Sequence, residues 1–585
     1  MNQLRVPKGA RQAKQNVTPG FNEWRFFVVV AMVLLVFAGI ASRAAYIQVI
    51  EPDLLIAQGD NRTMRTHNMP AHRGLITDRN GQQLAVSVPV RAIWADPKII
   101  NENNTLADGR RWQALAEVLG QEKHELVSKV ADGKKRFVYL QRQVSPAMAD
   151  YVEKLAIDGV YLRDESRRYY PSGEVSAQLI GFTDVDDRGI EGIERLYNER
   201  LTATPGSRKI RRDGKGRQVE ILAQNEGKAA KNIQLTIDQR IQALAYKEIK
   251  TAVRYYKATS GSVVIIDVHS GEILALVNSP SFNPNNRQGV SPHRIRNRAI
   301  TDAFEPGSAL KPMAVLSALE FGSATTESII DTSPGWMRMG GSLVRDSHDY
   351  GKLDLNGIIQ KSSNMGTSKL ALSVPKAFML DLYYNMGLMS DTGTNLIGES
   401  SGLFHERSRW SDFELSTLSF GYGISITALQ LARMYAIVGN GGIKQPLSIV
   451  KSTELMETER VISEANAHAL LAMMESVVLD GGTATKAQVP GYRVAGKTGT
   501  SRKAVAGGYG EEYINIFAGI APLSNPQLAV VILINEPRGD LYYAGDTAAP
   551  VFSHIVSGTL QMLNVPPDDR KVSSLIAARR VSDAH

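Results

Sequence analysis

The 585-residue chain predicts an α/β (α+β) fold behind a single membrane helix. Three observations carry that expectation. One long apolar run, FFVVVAMVLLVFAGIAS (Phe26–Ser42), stands near the N-terminus. Runs rich in β-branched residues cluster at 260–280 and again at 491–537. A helical and loop-rich stretch from about 309 to 471 separates them. Strands first and last, with helices between, describe a central antiparallel sheet covered by helices.

The apolar run, about 17 residues long, is at the short end for a span, with Trp24 and Tyr46 placed for the two interfaces. No polar face interrupts it, which argues against a buried soluble helix. Its length exceeds a usual signal-peptide core, which favours an uncleaved anchor over a cleaved leader. Arg5, Lys8, Arg11, Lys14 and Arg25 precede it, with Glu23 the only acid. The positive-inside rule puts this short tail in the cytoplasm and the body outside. Nothing later in the sequence is apolar enough to span again.

Residues 60–230 read as mixed strands and short helices. RGLITDRNGQQLAVS (Arg73–Ser87) is two β-prone runs around Asn80-Gly81, a hairpin signal. LAEVLGQEKHELVSKVADG (Leu115–Gly133) has helical spacing and a Gly stop. The segment Arg167–Leu201 is polar, punctuated by Gly, and ends in a helix. No catalytic cluster stands out, so this region reads as a spacer and interaction module. From Lys231 the character changes. Asn232–Val253 is a strand and then an amphipathic helix, and Ser260–Pro280 is a hairpin around Ser270-Gly271. Strands return at Gly491–Thr500, Ile514–Pro522 and Gln527–Pro537, and a last helix is expected at Ala548–Leu563.

The formal charge of +8 is mild for this length and sits largely in the tails. No basic stripe with interleaved aromatics appears, which argues against nucleic acid. There is no cysteine, so disulfides, thiol catalysis and thiolate metal sites are excluded. The ten histidines are scattered without ligand spacing, which argues against a metal. Nothing implies a cofactor.

The chemistry rests on three short strings. Ser-x-x-Lys alone decides nothing: about two matches are expected by chance in such a chain, and it holds Ser308/Lys311, Ser373/Lys376 and Ser448/Lys451. Context separates them. Pro312 lacks a backbone N–H and fits only the first turn of a helix, so the helix begins at about Ser308. Ser308 then lies at the positive end of the dipole, with Lys311 on the same face and in reach. A neutral amine there could act as base if burial lowers its pKa. The second string, Ser362-Ser363-Asn364, reads on its own as a helix N-cap. The third, Lys497-Thr498-Gly499-Thr500, is flanked by β-prone residues. It can set an ammonium, hydroxyls and an exposed N–H along a cleft edge, equipment for a carboxylate and an acyl oxyanion. A rival match exists, because GYRVAGKT (Gly491–Thr498) spells a phosphate loop. Such a loop follows an apolar strand and opens a helix; here Gln488 and Pro490 precede and glycines follow, so context rejects it.

Ser-x-x-Lys, Ser-x-Asn and Lys-Thr-Gly in this order form the motif set of penicillin-binding proteins and serine β-lactamases. RGLITDRNGQQLA, RRYYPSGE and GIEGIERLYNERL resemble the pedestal boxes of class B penicillin-binding proteins. AFEPGSALKPMAV, FGYGISITALQLARMYAIVGNGG and VAGKTGT resemble their transpeptidase domain. GFTDVDDRGIEGIE and FEPGS look most like the division-specific, septal branch. The resemblance implies a cytoplasmic tail (1–22), an anchor (23–45), a pedestal (46–231), a transpeptidase domain (232–565) and a polar tail (566–585). It implies a peptidoglycan D,D-transpeptidase. Ser308 would attack the penultimate carbonyl of a stem peptide ending in D-Ala-D-Ala, with Lys311 as base. Ser362 would relay the proton beside Lys497. Asn364 would hold the donor amide and Lys311. Thr498 and Thr500 would bind the terminal carboxylate beside Gly499, and the N–H groups of Ser308 and Thr500 would form the oxyanion hole. The acceptor is the amine of a second stem peptide, and β-lactams would trap Ser308. No glycosyltransferase segment is seen, so a multi-span glycan polymerase and other division proteins are implied partners. The location implied is the bacterial inner membrane at the septum. The alternatives are an elongation-type enzyme, a β-lactamase or D,D-carboxypeptidase, and a non-catalytic sensor.

Overall fold

A computed structural model describes residues 23–569, apart from 51–52, 54–56, 58, 61–62, 69–71, 205, 214–216, 406–408, 453–455 and 506. The basic tail at 1–22 and residues 570–585 of the polar tail lie outside the described residues. The chain divides into two compact units, Met1–Pro70 with Pro205–Lys228, and Ala71–Thr204 with Ala229–His585. The expected pedestal contributes to both.

In the first unit an α-helix runs Glu23–Ala45 and passes into a π-helical turn, Tyr46–Ile50. The most apolar 18 residues of its span Glu23–Val49 have mean hydropathy 2.4, and none of them is buried against protein. Among the described residues it is the one helix long and apolar enough to cross a membrane. The same unit holds a three-stranded antiparallel sheet, in the order Met64–Asn68, Ser207–Arg212, Gln218–Asn225.

The second unit is organised by a five-stranded antiparallel sheet. Its order is Ile273–Ser279, Ser260–Asp267, Leu528–Asn535, Gly508–Ala521, Ala495–Val505. The central runs VVII and LAVVI are buried throughout, because helices cover both faces. A Cβ on Gly519 would meet Phe552 of the helix Ala544–Met562, and one on Gly261 would meet Ile249 of the helix Gln239–Tyr255. On the opposite face Ile520 packs beside Gly439 of the helix Ala428–Gly439. The last helix starts four residues earlier than expected and contains Pro550. Pro550 cannot donate to the carbonyl of Asp546, and the Tyr256 hydroxyl donates to that oxygen instead, at 2.9 Å.

The hairpin at Asn80-Gly81 is present. The Asp78 carboxylate accepts from the N–H groups of Asn80 and Gln82, both at 2.8 Å, and Gly81 takes φ +85°. A lobe follows, in which Gln83–Ala95 pairs with Val138–Val144 and Val160–Tyr169. Helices line its inner side around Ile93, Trp112, Leu115, Leu126 and Leu140. The single helical stretch expected over Leu115–Gly133 is two helices, Gly109–Leu119 and Lys123–Val130. Gly120, in the left-handed region at φ 62°, ends the first one early. Below the lobe, Glu194 is buried between two arginines, accepting from Arg73 Nε and Arg168 Nε, each at 2.6 Å.

Candidate active site

Ser308 lies in a short 3-10 turn, Gly307–Leu310, and the α-helix proper runs Lys311–Phe321. The helical coil thus begins where Pro312 requires, but its first turn is tighter than expected. Pro312 cannot donate to the Ser308 carbonyl, so the Lys311 N–H closes a shorter ring onto that oxygen. Backbone on two sides holds the turn. Gly307 N–H donates to Gly421 O at 3.1 Å. A Cβ on Gly421 would come within 2.1 Å of Gly307 O, and one on Gly499 within 2.6 Å of Pro306 O. Ser501 Oγ donates to Glu305 O at 2.8 Å, and Tyr435 OH to Ala309 O at 2.9 Å. Ser501 thus ties the edge strand to the Ser308 turn.

The same edge strand carries Lys497. Strand alternation puts Lys497 and Gly499 on the face that meets the Ser308 turn. Lys311 and Lys497 are both almost wholly buried. Both ammonium groups reach one hydroxyl: Lys311 Nζ is 3.1 Å and Lys497 Nζ 3.0 Å from Ser362 Oγ. Lys311 also donates to Ser362 O, and Lys497 to Thr498 O and Oγ1 at 3.3 and 3.4 Å. The Ser308 hydroxyl has no hydrogen-bond partner within 3.5 Å among the described residues; Lys311 is turned to Ser362 instead.

Ser362 is presented by a break between two helices. It closes the helix Leu355–Lys361 in the left-handed region, at φ 58° and ψ 44°. The capping expected of this string falls to its neighbour. Ser363 caps the helix Asn364–Leu372, accepting from Gly366 N–H at 2.9 Å. That leaves the Ser362 hydroxyl to the two lysines. Asp346 fixes the break: Ser363 Oγ donates to its carboxylate at 2.5 Å, and the N–H groups of Asn364 and Met365 donate to its other oxygen. Asn364 Nδ2 donates to Arg345 O at 2.9 Å. Sequence reading missed Asp346, because it belongs to no motif and arrives through the hairpin Trp336–Arg345.

Burial without a counter-ion disfavours the charged amine. Burial pushes Lys311 down to about 7, partly opposed by Asp346. Lys497 is held well below the usual lysine value by burial and then by the Lys311 charge. Thr498 shares a hydrogen bond with Thr483, Oγ1 to Oγ1 at 2.9 Å, and Thr500 Oγ1 accepts from Ala544 N–H at 3.1 Å, keeping its own proton to donate. The other two Ser-x-x-Lys matches sit elsewhere: Ser373 caps a helix C-terminus and Ser448 lies beside Glu272. Gly491–Thr498 runs into the antiparallel edge strand with no helix after it, which removes the phosphate-loop reading. Among the described residues no cluster of acids and histidines could hold a metal.

Comparison with known proteins places this geometry. The penicillin-binding protein transpeptidase domain matches residues 261–557, and the penicillin-binding protein dimerisation domain matches residues 68–235. The peptidoglycan D,D-transpeptidase FtsI of Escherichia coli (strain K12) is 47% identical over 563 residues, covering 96% of this chain and 95% of that protein. The probable peptidoglycan D,D-transpeptidase PenA of Neisseria gonorrhoeae is 39% identical, covering 92% and 93%. Among solved structures, a peptidoglycan synthetase from Bifidobacterium adolescentis superposes with a TM-score of 0.68 at 28% identity, over 86% of this chain and 98% of that one. The transpeptidase domain of penicillin-binding protein 3 from Burkholderia pseudomallei gives 0.53 at 37%, over 57% and 97%. With both domain models in order and near full-length coverage of such relatives, the chain belongs to the class B penicillin-binding proteins, in their FtsI-like branch.

Proposed function

We propose that the chain is a membrane-anchored peptidoglycan D,D-transpeptidase that cross-links stem peptides during septum formation. One observation carries the reading: two buried lysines meet on the Ser362 hydroxyl beside the Ser308 turn. An amine with a pKa near 7 is free of its proton in half of the molecules at neutral pH, which suits a general base. Ser308 Oγ attacks the carbonyl of the penultimate D-Ala as Lys311 takes its proton. The oxyanion settles between the N–H groups of Ser308 and Thr500; the first of these lies in the opening helical turn, where no helix carbonyl reaches it. Ser362 gives its proton to the leaving amine and takes the one on Lys311 in return, with Lys497 opposing any second positive charge nearby, and the terminal D-Ala departs. The acyl-enzyme is then attacked by the amine of a second stem peptide; that amine's proton returns by the same route and Ser308 is released. Asn364 positions the donor amide, and Thr498 and Thr500 hold its carboxylate beside Gly499.

The helix Glu23–Ala45 anchors the enzyme, and the basic residues before it put the catalytic body outside the cytoplasmic membrane. A multi-span glycan polymerase and other division proteins complete the assembly, and β-lactams occupy the donor site. Incubation with a fluorescent penicillin tests the core of this reading. Stable labelling of the wild type and none of Ser308→Ala is the expected result. Absence of label on the wild type sinks the assignment, rapid turnover of the label means hydrolysis, and label that survives Ser308→Ala moves the nucleophile elsewhere.

A further inference from the structure

A cavity of the second unit lies away from the catalytic cleft, on the lobe built from Gln83–Ala95 and its partners. It has a volume of about 690 Å³, in the range of ligand and peptide sites. Its floor is apolar, from Ile99, Val152, Ile157, Val160 and Leu162; all but Ile99 belong to or pack against the lobe core. Its rim is acidic. Glu153, Asp158 and Asp164 line it against one cation, Arg91. Arg91 already faces Asp164, at 3.3 Å. Among the described residues, the Glu153 and Asp158 carboxylates have neither an ion pair nor a hydrogen bond. This acidic rim stands out on a chain whose formal charge is +8.

A second feature runs along the same groove. The strand Val160–Tyr169 pairs with Gln83–Ala95 over ten residues without a register shift, and among the described residues no strand pairs with its other side. The stretch Val160–Leu162 and Asp164 form a wall of the groove. The Val160 N–H already donates to Ile157 O at 3.0 Å; beyond it, every second residue of such an edge offers an unpaired N–H and C=O outward, which only another polypeptide strand matches in full. We propose that this groove receives an extended, basic and aliphatic segment of a partner polypeptide, added as a strand beside Val160–Asp164. Its aliphatic side chains fill the floor over Val152 and Ile157, and its cations meet Glu153 and Asp158. The proposal does not depend on the catalytic reading.

The test uses the purified full-length chain in detergent and a blocked synthetic peptide alternating Lys with Val or Ile. Amide hydrogen exchange is followed by mass spectrometry. At a peptide concentration ten times its Kd, exchange over 157–164 should slow about tenfold, while the hairpin Ser260–Ser279 exchanges as before. The same peptide with Glu in place of Lys, or with a central Pro, should give no slowing. Glu153→Lys with Asp158→Lys should abolish the effect and leave penicillin labelling of Ser308 unchanged. No slowing at any concentration overturns the site. Equal slowing by the acidic peptide overturns the basic partner. Protection that grows with protein concentration alone makes a second copy of the chain the occupant and overturns the proposal as well.

Discussion

Lys311 and Lys497 approach the Ser362 hydroxyl from two elements, a helix start and a sheet edge, to 3.1 and 3.0 Å. Two ammonium groups on one oxygen repel strongly when both are buried. The site is therefore stable with at least one amine neutral, and burial pushes Lys311 down to about 7. In the proposed mechanism the neutral form is the base, and it grows as pH rises. Acylation of Ser308 by a fluorescent penicillin should fall about tenfold per pH unit below 7 and level off above it. The linked effect on stability has the same direction. The folded chain releases the Lys311 proton near 7 and the unfolded chain near 10.5, so the unfolded state binds more protons between them. Within that window this group's contribution to stability rises with pH. A flat acylation profile from pH 5.5 to 8.5 would rule out Lys311 as the titrating base.

Asp346 and Ser363 make the second testable pair. One carboxylate accepts from the Ser363 hydroxyl and from two consecutive N–H groups, so it holds the break that presents Ser362. In Asp346→Asn one of those oxygens becomes a donor and loses its partners. Misplacing Ser362 by a fraction of an ångström should lower the acylation rate about 10- to 100-fold. A second readout separates position from charge. Asp346 holds the Lys311 pKa up against burial, so neutralising it should move the acid limb of the pH profile to lower pH. Unchanged rates with an unchanged limb would remove Asp346 from the machinery.

These two cases also mark how far the sequence could be read. The helical turn at Ser308 was legible because Pro312 restricts where a helix can start, and the edge strand because Lys-Thr-Gly is flanked by β-prone residues. Hairpins at Asn80-Gly81 and Ser270-Gly271 were legible for the same reason, since their turns need positive φ. The tighter 3-10 opening at Gly307–Leu310 was not, because it depends on which N–H replaces the missing one of Pro312. The division of labour between Ser362 and Ser363 was hidden as well: both are serines at a helix boundary, and only the left-handed backbone at Ser362 separates the cap from the exposed hydroxyl. Asp346 was out of reach because its partners are 17 to 19 residues away. The early stop at Gly120 was read as a later one because periodicity continues past it in a second helix.

Gly421 against Gly307 gives a steric prediction with an internal control. Gly421 has φ +83°, and a Cβ there would meet Gly307 O at 2.1 Å. Gly81 has φ +85° with nothing within 4 Å of its Cβ position. Both Ala substitutions carry the left-handed backbone cost of about 1–2 kcal/mol. Only Gly421→Ala adds the collision with the Ser308 turn. It should cut penicillin acylation more than about 100-fold, while Gly81→Ala stays within about twofold. Equal behaviour of the two would mean that the turn is not held by this contact.

The Glu194 carboxylate between Arg73 and Arg168 supports the body on which the site is carried. Both guanidinium Nε atoms donate to it at 2.6 Å. Glu194 is fully buried, Arg73 and Arg168 nearly so. Arg73 further donates to Asp187 O, Asn198 Oδ1 and Thr202 Oγ1 at 2.9–3.0 Å, so four segments of chain meet on one charge cluster. Glu194→Gln keeps the shape but leaves two buried guanidinium groups with no anion between them. Removing one partner from such a cluster costs about 3–5 kcal/mol, whereas replacing all of it by apolar side chains can be neutral. The variant should unfold at a clearly lower temperature and become sensitive to protease within 71–204. Whatever fraction stays folded should acylate at the wild-type rate, because none of these residues touches Ser308, Lys311, Ser362 or Lys497. A normal melting temperature in Glu194→Gln would show that the arginines find other acceptors and that the cluster is not what holds these segments together.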